Sequence, residues 1–155
     1  MDFKINNYEI EEVLPHEHPM ILLDTLDKYN DNSGFCSVTI THDSNFFDTQ
    51  TLSVPSHVGI EYMAQGIAAY ANAHERDANA PTAIGFLVSS RKFKVFVPDY
   101  ALGGKLSIFV EKLYKEDNGL SAFDCNIKCG DQLLAQAKIN VFQPEDPASF
   151  LKESV

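Results

Sequence analysis

Pro55–Ser56–His57–Val58–Gly59–Ile60–Glu61–Tyr62–Met63–Ala64–Gln65–Gly66–Ile67–Ala68–Ala69–Tyr70–Ala71–Asn72 is the stretch whose reading decides the fold. It predicts one helix of about four turns. Pro55 and Ser56 supply a start, with the serine hydroxyl as a cap. Met63, Ala64, Gly66, Ile67, Ala68, Ala69, Tyr70 and Ala71 leave almost no solvent face, and a helix apolar nearly all round is a buried one. Its polar residues form a narrow line: His57, Glu61 and Gln65 lie at i, i+4 and i+8, and Asn72 returns to that side. A carboxylate held inside such a helix is costly, which singles out Glu61 as a candidate for chemistry. The plainer reading is a first-turn acid that favours the helix dipole.

A helix of this kind must be covered. The chain has 155 residues, enough for one domain with a sizeable core. From residue 83 to 142 it is strand-rich. Residues 84–97 read as one long strand or two joined by a bulge, and 106–114 alternates. Asp117–Asn118–Gly119 marks a hairpin, and 121–128 and 133–142 complete a meander. Ahead of the helix, 20–24 reads as a short buried strand, 31–34 as a turn and 35–42 as a strand. These elements predict an α+β layer fold in which an antiparallel sheet wraps the helix. One such sheet leaves a side of the helix open, so a homodimer or heterodimer is expected to close it.

Composition narrows the function classes. Twelve basic residues against 22 acidic ones give a net charge of −10, which argues against nucleic acid as a partner. Arg91, Lys92 and Lys94 are a local exception, read as a dock for an acidic partner or a phosphate, or as a solvated strand face. No apolar run approaches the ~20 residues of a membrane span, and residues 1–7 lack the form of a signal peptide, so a cytoplasmic location is expected. Cys36, Cys125 and Cys129 show no metal-ligand spacing and read as reduced, half-buried thiols. His16 and His18 lack a third ligand nearby; neither a metal nor a cofactor is expected.

Two segments resemble bacterial 3-hydroxyacyl-ACP dehydratases. Residues 14–24, Leu14–Pro15–His16 through Asp24, resemble the family's Leu-Pro-His-x-x-Pro-hydrophobic-Leu-Leu-x-Asp opening. Residues 55–65 resemble its Pro-Gly-Val-x-x-x-Glu-x-Met-Ala-Gln helix, and residues 91–98 more weakly resemble its Arg-Phe-Lys-x-x-Val-x-Pro strand. The wording of the helix is closest to the predicted dehydratase subunits of aryl-polyene biosynthesis systems. The resemblance implies the hot-dog fold, a sheet wrapped around a central helix and usually dimeric. It implies removal of water from a 3-hydroxyacyl thioester on acyl carrier protein, or on CoA, with Glu61 matching the helix carboxylate. One departure stands out. The family's Gly-His-Phe-Pro-Gly loop has no counterpart in residues 46–54, which contain no histidine.

Three candidates remain for the missing base: His57 one turn before Glu61, His16 in the matched opening, and a histidine from a second hot-dog subunit. The third fits family dimers, where the histidine and the carboxylate at one site come from different chains. The amides near Val58 and Gly59 are expected to hold the substrate oxyanion, with Gln65 orienting Glu61. Gly85 and Phe86 complete the expected substrate-binding set, and Arg91, Lys92 and Lys94 are expected to meet the carrier protein. Two other readings stay open: a hot-dog thioesterase, in which Glu61 activates water, and a non-catalytic subunit that supports a catalytic partner.

Overall fold

The computed structural model describes residues 2–16, 18–81 and 86–143, with backbone alone at 86–88. The chain runs β1 (Lys4–Ile5), α1 (Ile10–Val13), β2 (Thr25–Tyr29), β3 (Ser33–Thr39), β4 (Ser53–Pro55), a 3₁₀ turn (Ser56–Val58) and α2 (Gly59–Asp77). It continues with β5 (Phe86–Val95), β6 (Asp99–Ala101), β7 (Lys105–Lys115), β8 (Leu120–Cys129) and β9 (Gln132–Phe142). Seven strands form one antiparallel sheet in the order β1-β2-β3-β7-β8-β9-β5; β4 and β6 pair separately. α2 touches β2, β3, β5, β7, β8 and β9, so the sheet curls around it. This is the expected α+β hot-dog architecture.

Alternation in the strands decides which side is core. Leu106, Ile108 and Val110 of β7 are buried, as are Phe123, Cys125 and Ile127 of β8 and Ala135, Ala137 and Ile139 of β9. The matching stripe on α2 is Tyr62, Met63, Gly66, Ile67, Ala69, Tyr70 and Ala73. Gly66 sets the separation: a Cβ there would lie 3.1 Å from Ile108 Cγ2 and 3.3 Å from Val110 Cγ1. Burial pushes the Cys36 and Cys125 thiols well above their usual range, which makes them poor nucleophiles. Both are fully buried rather than half-buried; only Cys129 is intermediate.

Several element boundaries differ from the sequence reading. Residues 20–24 are not a strand: Met20 is exposed, and the regular strand begins at Thr25. β1 and α1 lie within residues 4–13, to which the sequence reading assigns no element. α2 begins at Gly59, because Pro55 is held in β4 opposite Asp99 and Ser56–Val58 form a tighter turn. Ser56 makes no side-chain cap; its N–H donates to the Pro98 carbonyl at 3.1 Å and its carbonyl accepts the Tyr100 hydroxyl at 2.9 Å. The helix runs on to Asp77, beyond the expected end at Asn72.

Asp77 fastens that far end. A carboxylate at a helix C-terminus opposes the dipole. Here it accepts hydrogen bonds from Tyr8 and Tyr29, each at 2.6 Å, and lies 3.7 Å from Lys4 Nζ. Burial alone would raise its pKa, but the two phenols and the Lys4 and His74 charges outweigh it and leave the carboxyl below its ordinary value.

Two outcomes follow from these contacts. A Cβ at Gly59 would collide with the Tyr100 hydroxyl and lie 3.1 Å from Ile127 Cδ1, so Gly59→Ala should destabilise the fold by about 1–3 kcal/mol. Urea unfolding of G59A, Y100F and the double variant should show partial recovery in the double, because the phenol oxygen is the obstructing atom. An unchanged midpoint for G59A would contradict this packing. For Asp77, a depressed folded pKa means stability present above the unfolded carboxylate pKa and lost as pH falls through the folded one. Unfolding free energy measured across the acid limb should therefore fall less steeply in Asp77→Asn than in wild type.

Candidate functional site

The candidate residues start from the turn that delivers the chain to α2. β4 is fixed by its pairing with β6, and Ser53 Oγ adds a hydrogen bond to Asp99 at 2.9 Å. Tyr100 holds the 3₁₀ turn from beneath. The result is a rigid corner that buries Val58 and Gly59 and turns His57 outward.

His57 and Glu61 project from the same side of adjacent turns, and both are exposed. The expectation that Glu61 is held inside the chain is therefore corrected. The polar line splits along its length: His57 and Glu61 are left open, whereas Gln65 and Asn72 are 4% and 1% exposed. The division arises because the N-terminal segment crosses only the later turns of α2. Gln65 Oε1 accepts the Leu22 N–H at 2.8 Å, and its Nε2 donates to the Met20 carbonyl at 2.7 Å. Asn72 Nδ2 donates to the Val13 carbonyl at 3.0 Å. Gln65 thus fastens the 20–22 segment instead of orienting Glu61. The irregular backbone there needs partners, and two buried amides supply them.

Gly59 also departs from its expected role. Its N–H is directed at the Ser56 and His57 carbonyls, so it is not a free oxyanion donor, and its missing Cβ makes room for Tyr100. His16 is exposed in the opening segment. Gly85 lies outside the described residues, as does the side chain of Phe86. Arg91, Lys92 and Lys94 are exposed on β5, an edge strand of the sheet.

Neither Glu61 nor His57 is in the lining of the two cavities that flank α2 among the described residues. One cavity of about 250 Å³ begins one turn beyond Glu61, at Ala64, and follows α2 past Ala68 and Ala71 to Glu75. Its far wall includes Phe123 and Val141, and Lys112 and Lys115 stand at its rim. A second, of about 280 Å³, lies between the 18–24 segment and the 38–45 stretch, with Tyr62 at its floor. Burial and the Asp24 charge push the Tyr62 phenol up to about 12, so it is a neutral hydrogen-bond donor at neutral pH. Among the described residues no cluster of three histidine, cysteine or acidic side chains could hold a metal ion. No described helix is long and apolar enough to cross a membrane.

The family model described as ApeP-like, ApeP dehydratase, matches residues 8–152. The chain belongs to the ApeP-like dehydratase family. The solved structure titled the dehydratase heterocomplex ApeI:P from Xenorhabdus doucetiae contains a chain 27% identical to this dehydratase, with a TM-score of 0.87. The match covers 95% of this chain and 97% of that one. More distant structures share the fold. An uncharacterised protein from Pyrococcus horikoshii is 11% identical, with a TM-score of 0.64 and coverage of 90% and 96%. A hypothetical thioesterase protein with coenzyme A from Streptococcus pneumoniae is 11% identical, with a TM-score of 0.59 and coverage of 77% and 84%. Comparison with curated proteins returns no match. The dehydratase family and hot-dog fold implied by residues 14–24 and 55–65 are confirmed.

The Gln65 finding carries a direct test. Gln65→Leu keeps the volume but leaves the Leu22 N–H and the Met20 carbonyl without their partner. Each such loss costs about 1–3 kcal/mol where the group stays buried. Hydrogen exchange in Q65L should show the Leu22 amide losing protection before β7 and β8 do. Unchanged protection at Leu22 would show that this tether is dispensable.

Proposed function

We propose that this dehydratase works as a subunit that removes water from a carrier-bound 3-hydroxyacyl thioester, yielding a trans-2-enoyl thioester, and that its site is completed by a second hot-dog subunit. The observation that carries the reading is the family match over residues 8–152, joined to the exposed Glu61 on the side of α2 that its own sheet leaves open. The similar structure from Xenorhabdus doucetiae, a dehydratase heterocomplex, supports a two-subunit arrangement. Synthesis of a polyene chain, which repeats this step, is the setting that the resemblance of residues 55–65 supports.

The chemistry needs a base at C2, an acid at the C3 hydroxyl and donors at the thioester oxygen. The base removes the C2 proton, the electron pair passes through the enolate to form the C2=C3 bond, and the C–O bond at C3 breaks. The departing hydroxide takes a proton and leaves as water. Glu61 gives that proton in this scheme. Residues 46–54 hold no histidine, so the base comes from the partner subunit, with His57 as the in-chain alternative. The corner before α2 supplies no free oxyanion donor from Val58 or Gly59: the 3₁₀ turn closes the Val58 amide onto the Pro55 carbonyl, and the Gly59 amide is directed at the Ser56 and His57 carbonyls. The cavity past Ala64, with Ala64, Ala68, Ala71, Phe123 and Val141 in its wall, offers room for the acyl tail.

A second reading has its own observation. Among the described residues Glu61 is not part of the lining of the cavities above, which favours a subunit that stabilises a catalytic partner without touching substrate. Assay of a 3-hydroxybutyryl thioester with the chain alone, and with a co-encoded hot-dog partner, separates the two. Enoyl absorbance is expected with the pair only. Glu61→Gln in the reconstituted pair should lower kcat by about 10²–10⁴-fold with the pair intact by gel filtration. Unchanged turnover in E61Q would assign this chain the supporting role, and release of free thiol without enoyl product would indicate thioester hydrolysis.

A further inference from the structure

The side of the sheet facing away from α2 carries a charge pattern that the site does not use. β8, β9 and β5 are neighbours, and their register sets Asp124 opposite Lys138, Arg91 opposite Lys138, and Lys94 and Asn126 opposite Gln136. The intervening Cys125, Ile127, Ala135 and Ile139 are buried against the core. The polar set therefore shares the outer face, since directly opposed residues point the same way. β5 bulges between Arg91 and Lys94, and Lys92 sits there at φ 55°. That bulge brings Lys92 into a shallow outer cleft with Phe109, Asn126, Lys128, Gln136 and Lys138.

The three strands contain five cations and one carboxylate in a chain of net charge −10. Asp124 pairs with Lys138 at 3.3 Å. Among the described residues Arg91, Lys92, Lys94 and Lys128 have no ion-pair partner, and all four are exposed. Like charges set across a ladder destabilise it, and a non-glycine residue at positive φ is uncommon. Both features work against stability at this one place, and an anionic partner would offset the first. Four of the five cations are lysines spread across three strands, which suits a broad acidic surface better than bidentate capture of a single phosphate. Just past the end of β5, Phe96 is exposed and adds apolar contact area near the cations, as in a protein interface.

We propose that the outer face of β5, β8 and β9 is the landing surface for an acidic carrier protein, with Lys92 and Lys128 flanking its cleft. The carrier as occupant rests on the dehydratase reading above; the charge complementarity does not. The surface is wider than the Arg91, Lys92 and Lys94 set legible in the sequence, because strand pairing adds Lys128 and Lys138.

The test is binding, read apart from turnover. Holo acyl carrier protein labelled at its phosphopantetheine thiol is titrated with the reconstituted pair, and anisotropy is followed at low salt and at about 0.3 M salt. Wild type should bind at low salt and weaken about ten-fold at the higher salt. K92E/K128E should weaken binding at least about ten-fold, whereas K4E/K28E, which makes the same change in net charge on β1 and β2 at the opposite edge of the sheet, should bind as wild type does. K92Q/K128Q serves if the reversal lowers the thermal midpoint. No binding at low salt, or equal binding by wild type and K92E/K128E, overturns the surface. Dehydration of a small pantetheine thioester by the pair, measured alongside, tests the reaction separately. Turnover with unaltered carrier binding in the variant would remove the docking surface alone. Lysine-dependent binding without turnover would keep an acidic protein partner on this face and remove the reaction.

Discussion

The approach of α2 to the concave face of its sheet is the constraint on which the rest depends. Gly66 lets the helix backbone come within contact of Ile108 and Val110, and the small residues around it keep that distance along the helix. A wrapped sheet can cover only the part of a helix that faces it. The N-terminal segment covers a further part, using Gln65 and Asn72 as fasteners. What remains is a strip through His57, Glu61, Ala64, Ala68 and Ala71, which is exposed or half-buried.

In the proposed function, that strip is where fold and chemistry meet. The corner before α2 is rigid because β4 pairs with β6 and Tyr100 reaches the Ser56 carbonyl. A functional group gains from such a mounting, since a group fixed by its neighbours needs no reorganisation when the reaction occurs. The same corner engages the Gly59 amide and fills the space under Gly59, so its role there is packing. The open side of α2 is consistent with a site built across a subunit seam.

The outer sheet face answers to different physics. It makes no use of burial and depends on where the sheet register sets charges. An acidic protein gains association rate from a local positive field only where that field is concentrated, and three adjacent strands concentrate it. The two sides of one sheet can thus divide the work, with the inner side holding the helix and the outer side meeting a partner.

Much of this was written in the sequence. The apolar helix at 55–72, the alternation in 106–142 and the hairpin signals fix an antiparallel sheet around a helix, because each is a local pattern tied to one backbone period. Residues 14–24 and 55–65 carried the family. What the sequence left undetermined is which neighbour takes each polar group on α2. His57, Glu61, Gln65 and Asn72 look equivalent at helical spacing, yet the crossing N-terminal segment buries two and leaves two open. Likewise Lys128 and Lys138 lie more than thirty residues from Lys92, and only strand pairing brings them to one face. Periodicity is a property of consecutive residues, whereas burial and charge clustering depend on segments far apart in the chain, so tertiary structure alone decided them.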